Sequence, residues 1–349
     1  MTKEHSGLPV GPRPPPRARL ADVAEAAGTS KPIASRILNE DPSLSVGKDL
    51  RERVKRAAGE LRYQPHAGAR GLRRATAGAF ALLVPEITNL VFATLARGAV
   101  ARAYERGYVV LMAEDFDERR SATALPLLVS SRRIDGLMIA TAREGHPFLA
   151  DLLATGAPHV FVNRAVPGSG RNIVLDDAAA ARMALDHLVE IGHSRVGHIS
   201  GTADLEPARR RRAAFEARAH ERGLTAAPVV EAGLLETGGS AGLRELMKAE
   251  PELTAVFASS VMQAAGVLSE AWHLGLVVPR DLSVVAHADT PFAEALIPPV
   301  TCVRVPLERL GEIAVDALLE AIGGAAPHDI ALADAPELIV RGSTAPPVR

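Results

Sequence analysis

Apolar residues recur at two different spacings along this chain, and the first spacing is helical. Near the amino terminus they stand at i, i+3, i+4 and i+7, at Leu20, Val23, Ala24 and Ala27. This stripe predicts a first helix. Gly28 predicts its end, because glycine tolerates the left-handed conformation that closes many helices.

Two further helices are predicted directly after the first. Ser30 is placed to cap the second helix, and Pro32 lies in its first turn, where the missing N–H of proline is not needed. The apolar face of the second helix is formed by Ile33, Ala34, Ile37 and Leu38. Its opposite face carries Lys31, Pro32, Ser35 and Arg36. The buried side of the third helix is predicted to contain Leu50, Val54, Ala57, Ala58 and Leu61.

Two short helices joined by a glycine-containing turn and followed by a third are typical of a helix-turn-helix. In that motif the second helix enters the major groove of DNA and presents donors to base edges. Small three-helix units that bind no DNA share the same periodicity, so periodicity alone leaves both interpretations open.

From Ala79 onward the spacing changes to short β-rich runs that alternate with amphipathic helices. The predicted strands are Phe80–Val84, Val109–Ala113, Gly136–Ala140, His159–Asn163, Arg195–Ser200, Ala255–Ala258 and Leu282–Val285. Predicted helices include Thr94–Arg106, Ala178–Ile191, Ala208–Arg222 and Met262–Leu274. The alternation predicts parallel sheets of an α/β core. About 270 residues are too many for one sheet, so we expect two Rossmann-like lobes with a ligand cleft at the carboxyl ends of their strands.

The composition is that of a globular protein, with 47% hydrophobic and 23% charged residues among 349. A single cysteine, Cys302, excludes an internal disulfide framework and a cysteine-based zinc site. No apolar run approaches the roughly 18 residues of a membrane helix, and the amino terminus has no secretory signal. We therefore expect a cytoplasmic protein, with residues 1–17, which are rich in proline, as a disordered tail.

Charge is distributed unevenly between the two parts of the chain. Residues 1–76 carry a formal charge of +7 and the remainder −8, although the total is only −1. A basic end on an acidic body favours a polyanion-binding module joined to a second module with another partner.

Enzymatic function receives little support from the motifs. The run Gly238–Gly242 is rich in glycine but lacks the spacing of a dinucleotide fingerprint or a P-loop. The sequence contains no Gly-x-Ser-x-Gly elbow, no His-Glu-x-x-His motif and no cluster of metal ligands. We expect no catalytic residues, no metal and no cofactor.

Several ordered motifs resemble those of one family of regulators. They are Leu20-Ala21-Asp22-Val23-Ala24-Glu25-Ala26-Ala27-Gly28-Thr29-Ser30, Ala34-Ser35-Arg36-Ile37-Leu38-Asn39, Leu61-Arg62-Tyr63-Gln64-Pro65, Ala69-Arg70-Gly71-Leu72, Arg133-Ile134-Asp135-Gly136-Leu137, Phe161-Val162-Asn163-Arg164, Ile191-Gly192-His193-Ser194-Arg195-Val196 and Val340-Arg341-Gly342-Ser343-Thr344-Ala345-Pro346-Pro347. Between about residue 19 and residue 347 the chain is similar to LacI/GalR-family repressors. Those proteins couple a helix-turn-helix head to a core similar to type I periplasmic sugar-binding proteins.

The resemblance implies a domain organisation. It places the helix-turn-helix at residues 18–64, a hinge helix at 65–76, and an effector-binding and dimerisation core at 77–349. One lobe would comprise about 77–175 and 303–334, and the other about 176–302 and 335–349. The implied protein is a dimeric or tetrameric repressor that binds a palindromic operator at the nucleoid and responds to a sugar or an anionic metabolite.

The same resemblance assigns residues to DNA binding. Lys31 and Arg36 are expected to read bases, Pro32 to make apolar contact, and Ser35 and Asn39 to contact phosphate or sugar. In the hinge, Ala69, Arg70 and Leu72 match the family, whose paired hinge helices insert a leucine into the minor groove. A leucine packed on the core is the alternative for Leu72.

Effector-binding residues follow from the matching core positions. The resemblance places Arg209 as a clamp on effector hydroxyls or a carboxylate, at the start of a run of four arginines that a solvated helix face would also explain. The remaining effector residues are expected to be Phe92, Asn163, Arg164, Ser259 and Asp289.

Departures from the family's residues at the effector site change the type of effector that the sequence predicts. Ser259-Ser260 stands where the family has Asn-Asp, Ala288 replaces an expected carboxylate, and His287 replaces an aromatic residue. Losing acceptors for hydroxyls predicts a less polar or anionic effector. The alternative is an effector-independent or architectural DNA-binding protein with a degenerate cleft.

Overall fold

The structure is a computed structural model, and it describes residues 18–39, 41, 43–63, 76–114, 131, 133–141, 149, 152 and 155–348. The chain divides into two compact units between Ala77 and Gly78. The predicted tail 1–17 and nearly all of the predicted hinge 65–76 lie outside the described residues.

The described helices and strands run as follows. The helices are α1 Leu20–Ala26, α2 Lys31–Leu38, α3 Lys48–Glu60, α4 Leu90–Glu105, α5 Asp177–Glu190, α6 Glu206–Glu221, α7 Glu236–Ala249, α8 Val261–His273, α9 Pro291–Ala295 and α10 Leu307–Ile322. The strands are β1 Ala79–Val84, β2 Val109–Glu114, β3 Gly136–Ile139, β4 His159–Val162, β5 Asn172–Val174, β6 Val196–Ser200, β7 Val229–Glu231, β8 Ala255–Ala258, β9 Ser283–His287, β10 Thr301–Arg304, β11 Ile330–Ala331 and β12 Glu337–Ile339.

The amino-terminal unit is the predicted helix-turn-helix. Apolar stripes of α1, α2 and α3 meet in one core, whose buried residues include Val23, Ile37 and Val54. Gly28 has φ +63°, which is the left-handed conformation expected where α1 turns toward α2. Leu61 differs from its prediction and is 38% exposed, because α3 ends at the preceding residue.

The carboxyl-terminal unit contains the two predicted sheets. The first has the strand order β11-β5-β4-β3-β1-β2 and is parallel throughout. The second has the order β12-β10-β9-β8-β6-β7, and only β12 runs antiparallel to its neighbour. Helices pack on both sheets, which gives two lobes of the same α/β architecture.

Three connections join the lobes. The chain leaves the first lobe after β5, returns after β10 to form α10 and β11, and crosses again to add β12 to the second sheet. β10 pairs with β9 and β12 and continues to Arg304, so residues 301–304 belong to the second sheet. Beyond β12, Ser343 fixes the chain to the second sheet by donating a hydrogen bond to the Val284 carbonyl (2.6 Å).

The carboxyl ends of strands from both sheets face a common space. Asn163 follows β4 in the first lobe, while Ser259 follows β8 and His287 ends β9 in the second. The strand directions therefore put polar side chains of both lobes at the edge where ligands bind in open α/β sheets.

Candidate functional site

The first turn of α2 presents an exposed cation. Ser30 occupies the position before the helix, but its side chain makes no capping hydrogen bond, contrary to expectation. Lys31 and Pro32 are both exposed, so the two residues predicted to meet base edges lie at the protein surface. A lysine at this place can donate to guanine O6 and N7.

Arg36 is held by its own unit. Its Nε donates to Asp41 Oδ2 at 2.8 Å and its Nη2 donates to Ser43 Oγ at 2.9 Å. Hydrogen bonds from Ser43 and Arg36 lower the pKa of the Asp41 carboxyl to about 2, so this ion pair persists at neutral pH. The two bonds use Nε and Nη2, so Nη1 is the part of the Arg36 guanidinium that remains for a base.

The other predicted DNA-contacting residues divide into two groups. Asn39 is exposed and donates from Nδ2 to the Ser35 carbonyl at 2.7 Å, while Ser35 is half-buried. Ser35 lies in the carboxyl-terminal half of α2, and Asn39 directly follows the helix. The predicted hinge contacts Ala69, Arg70 and Leu72 lie outside the described residues.

A cavity between the lobes is the candidate small-molecule site, and we call it the interlobe cavity. Its volume is about 530 Å³, counting the space at its open mouth. It is lined by Pro85, Asn89, Val91, Phe92, Ala140, Asn163, Arg164, Leu205, Pro207, Ala208, Arg211, Leu234, Ser259, Ser260 and His287. Both lobes contribute to this lining, so a ligand here would contact the two at once.

The arginine that lines the interlobe cavity is Arg211, not Arg209. Arg209 is exposed, and its Nη1 donates to the Ala203 carbonyl at 2.7 Å on the outer side of α6. Arg211 is only 5% exposed. Arg209, which the resemblance predicts as the clamp, does not line this cavity, because two residues along a helix turn the side chain by about 200°, to the opposite face.

Helical spacing could have identified Arg211 in the sequence. Ala208 precedes it by three residues, and Ala214 and Phe215 follow it by three and four. All three are buried, so they define the inner face of α6 and include Arg211 in it. A run of four arginines hid this pattern, because charge alone does not distinguish its members.

A buried carboxylate orients Arg211. Asp177 is 1% exposed and accepts from Arg211 Nη1 at 2.6 Å and from Arg210 Nη2 at 2.7 Å. Bonds between ionised partners are short and directional, so they fix the guanidinium plane of Arg211 against the cavity. Asp176 has a separate task and caps α5 by accepting from the Ala179 N–H at 2.8 Å.

Several polar atoms of residues that line the interlobe cavity are buried without a hydrogen-bond partner among the described residues. They include Arg211 Nε, Asn163 Oδ1, Ser259 Oγ and His287 Nε2. Buried polar groups are nearly always satisfied in folded proteins. All of them belong to residues that line one cavity, which indicates that a ligand or water completes their hydrogen bonding there.

The remaining predicted residues differ in position. Phe92 and Arg164 line the interlobe cavity, and both are mostly buried. Asp289 is not among its lining residues. Its carboxylate is bound to Arg304 at 2.8 Å and Arg341 at 2.9 Å, in an ion-pair network of the second lobe.

His287 adds no charge to the cavity wall. Burial, together with the nearby Arg211 and His198, holds its pKa well below the usual range of histidine. A neutral imidazole can still hydrogen-bond, and Nε2 has no partner among the described residues.

Within the part of the chain that the structure describes, no group of three or more histidine, cysteine or carboxylate side chains is arranged to hold a metal ion. Among the same residues, no helix is both long enough and apolar enough to cross a membrane.

Comparisons with known proteins match both units. Residues 19–66 match the lacI family of bacterial regulatory proteins, and residues 185–344 match the periplasmic binding protein-like domain. The HTH-type transcriptional regulator MalR of Streptomyces coelicolor is 33% identical over 341 residues, which cover 94% of this chain and 96% of that protein.

Two further similarities extend over nearly the whole chain. The ribose operon repressor of Escherichia coli K12 is 30% identical over 332 residues, which are 93% of this chain and 99% of that protein. The solved structure of a transcriptional regulator CelR–cellobiose complex has a TM-score of 0.70 and 27% identity, and the match covers 94% of this chain and 100% of that chain.

Proposed function

The chain belongs to the LacI family of bacterial regulatory proteins, and from this premise we propose that it is a homodimeric repressor that releases a palindromic operator when a small molecule binds its core. A protein with this function works in the cytoplasm, at the nucleoid. The single observation that carries the effector part is the buried guanidinium of Arg211, which faces a cavity shared by two lobes.

Sequence-specific DNA binding is assigned to the surface of α2. Lys31 offers donors to base edges, and the amino-terminal unit as a whole is basic. One such helix contacts only a few base pairs, so genomic specificity requires two copies and a site with two-fold symmetry.

An exposed apolar face on the first lobe supports the proposal that the protein is a dimer. β2 is an edge strand whose Leu111 is 51% exposed, and Tyr104 at the end of α4 is 82% exposed. Val100 and Val109 belong to the same exposed set. Apolar surface of this kind is unusual on a monomer, and an isologous contact would cover it in both protomers.

Effector control is assigned to the interlobe cavity. A ligand that contacts both lobes stabilises one relative orientation of the two, and it shifts operator affinity only as far as it binds the two orientations unequally. The names of two relatives, a ribose operon repressor and a regulator solved with cellobiose, support a small metabolite as that ligand.

The decisive experiment is selection of bound sequences from a random DNA pool by the full-length chain at a stated salt concentration. We expect enrichment of a palindrome with two half-sites. Enrichment of a single half-site would contradict the dimer, and no enrichment would contradict sequence-specific regulation and favour an architectural DNA-binding role.

A further inference from the structure

The formally charged residues in the wall of the interlobe cavity are cations. Of the described residues that line it, only Arg164 and Arg211 carry a formal charge. No aspartate or glutamate is among the described lining residues. Arg211 is paired with Asp177 through Nη1, so its Nε is the part of the guanidinium that is left for a ligand.

The nearest candidate carboxylates are committed elsewhere. Asp177 lies behind Arg211 and is shared by two arginines. Glu206 is bound to Arg210 at 3.0 Å and accepts from the Ala165 N–H at 3.1 Å, while Asp289 is bound to Arg304 and Arg341. All three are paired with arginines, and none of them is among the described residues that line the cavity.

The charged lining residue with a partnerless atom is a hydrogen-bond donor. Arginine only donates, and Arg211 Nε is buried with no partner among the described residues. Asn163 Oδ1 is an acceptor, and Ser259 Oγ serves in either role. A neutral polyol needs an acceptor for each hydroxyl proton, whereas an anion accepts only, so this wall suits an anion better.

Three helices begin at the interlobe cavity and add to its positive potential. Asn89 precedes α4, Leu205 precedes α6 and Ser260 precedes α8, and all three residues line the cavity. The amino-terminal ends of helices carry partial positive charge from aligned peptide dipoles. The buried Arg211 lines the same cavity, so the helix ends add to the positive potential of a site that Arg211 already defines.

The rest of the wall is apolar and fixes the body of the ligand. Phe92, Leu205 and Leu234 line the cavity together with proline and alanine residues. Such surfaces bind rings or short carbon chains, and a few polar groups orient them.

On the basis of the function proposed above, we propose that the effector is a small anion, with a carboxylate or a phosphate monoester bound at the guanidinium group of Arg211 and with its carbon body against Phe92. A planar guanidinium matches either head group with two parallel hydrogen bonds.

Matched pairs of compounds test the charge of the effector. Full-length protein is titrated calorimetrically with glucose, gluconate and glucose 6-phosphate, and with benzyl alcohol and benzoate. We expect at least one acid to bind ten times more tightly than its neutral counterpart. We expect the affinity for gluconate or benzoate to stay constant from pH 6 to pH 8. The affinity for glucose 6-phosphate should rise with pH, because the second pKa of a phosphate monoester is about 6.

Three variants locate the anion. Arg211→Gln is expected to weaken binding of the acid roughly ten- to a hundredfold, because a charge-assisted hydrogen bond is lost. Arg209→Gln removes an exposed charge from the same helix and should leave the affinity unchanged within twofold. Ser259→Asp places a carboxylate in the wall and should abolish binding of the acid. The thermal midpoint of each ligand-free variant checks that it folds.

Tighter binding of the neutral member of each pair would overturn the inference while leaving the proposed function intact. Binding of no probe would also overturn it, and DNA selection would then decide separately whether the chain is an effector-independent regulator. Equal loss in Arg209→Gln and Arg211→Gln would show that general surface charge, not the interlobe cavity, attracts the acid.

Discussion

Lys31 and Arg36 are the two charged side chains of α2, and they differ in their internal hydrogen bonds. Arg36 is bound to Asp41 and Ser43, whereas Lys31 is exposed and makes no hydrogen bond or ion pair within the described residues. Lys31 is therefore free to adopt the rotamer that a base requires, whereas the orientation of the Arg36 guanidinium is already fixed by Asp41 and Ser43.

We predict that Lys31→Ala relaxes specificity at one base pair per half-site and costs about 1–3 kcal/mol at the preferred base. The measurement is competitive binding to a set of operators that differ at single positions. Lys55→Ala is the matched control, because it removes an exposed charge from α3 and should weaken all sequences alike. A uniform loss with Lys31→Ala would mean that this lysine contacts only phosphate.

Side-chain identity was easier to predict than side-chain direction. The resemblance placed Phe92, Asn163, Arg164 and Ser259 at the effector site, and all four line the interlobe cavity. It failed for Asp289, whose partners Arg304 and Arg341 come from β10 and the segment after β12, far apart in sequence. Long-range ion pairs of this kind leave no local pattern in a sequence.

Close packing of α7 on α8 explains one glycine of the run Gly238–Gly242, namely Gly239. A Cβ at Gly239 would overlap the Gln263 carbonyl oxygen, and a Cβ at Gly266 would overlap the Glu236 carbonyl oxygen. Each helix therefore contributes one glycine at the crossing, and the backbones approach too closely for any side chain.

We predict that Gly239→Ala lowers the free energy of unfolding of the core by about 1–3 kcal/mol, because an added methyl group forces the two helices apart. Denaturant unfolding followed by circular dichroism measures this loss.

Gly59→Ala serves as the contrasting variant, since a Cβ at that position in α3 meets no heavy atom within 4 Å. It should stabilise the amino-terminal unit by about 0.5–1 kcal/mol through helix propensity. Destabilisation by both substitutions to a similar extent would contradict the packing argument.

Strands with an apolar pattern of their own could be predicted from the sequence. Short strands that form only by pairing with an adjacent strand could not. The predicted strand Ala255–Ala258 agrees with β8 in both bounds. β5, β7, β10, β11 and β12 were absent from the predicted strands, and all of these except β10 have only two or three residues. Strands this short exist through pairing with an adjacent strand, which local periodicity does not reveal.

For the whole molecule, we predict that Leu111→Glu converts the dimer to a monomer, because it puts a charge in the middle of the exposed apolar face on β2. Sedimentation equilibrium measures the association constant, and operator affinity should fall with it. Val340→Glu changes an exposed apolar residue of the second lobe and should leave the dimer intact. A Leu111→Glu chain that remains dimeric would place the contact elsewhere.

The three crossings between the lobes also determine the order in which a growing chain can complete its parts. α1, α2 and α3 are all made within the first 60 residues, whereas the first lobe lacks α10 and β11 until residue 331 and the second lacks β12 until residue 339. Units fold as their last element leaves the ribosome. Translation halted between residues 76 and 305 would thus release a finished DNA-binding head with neither lobe closed, so a nonsense mutation there removes effector control and spares the head.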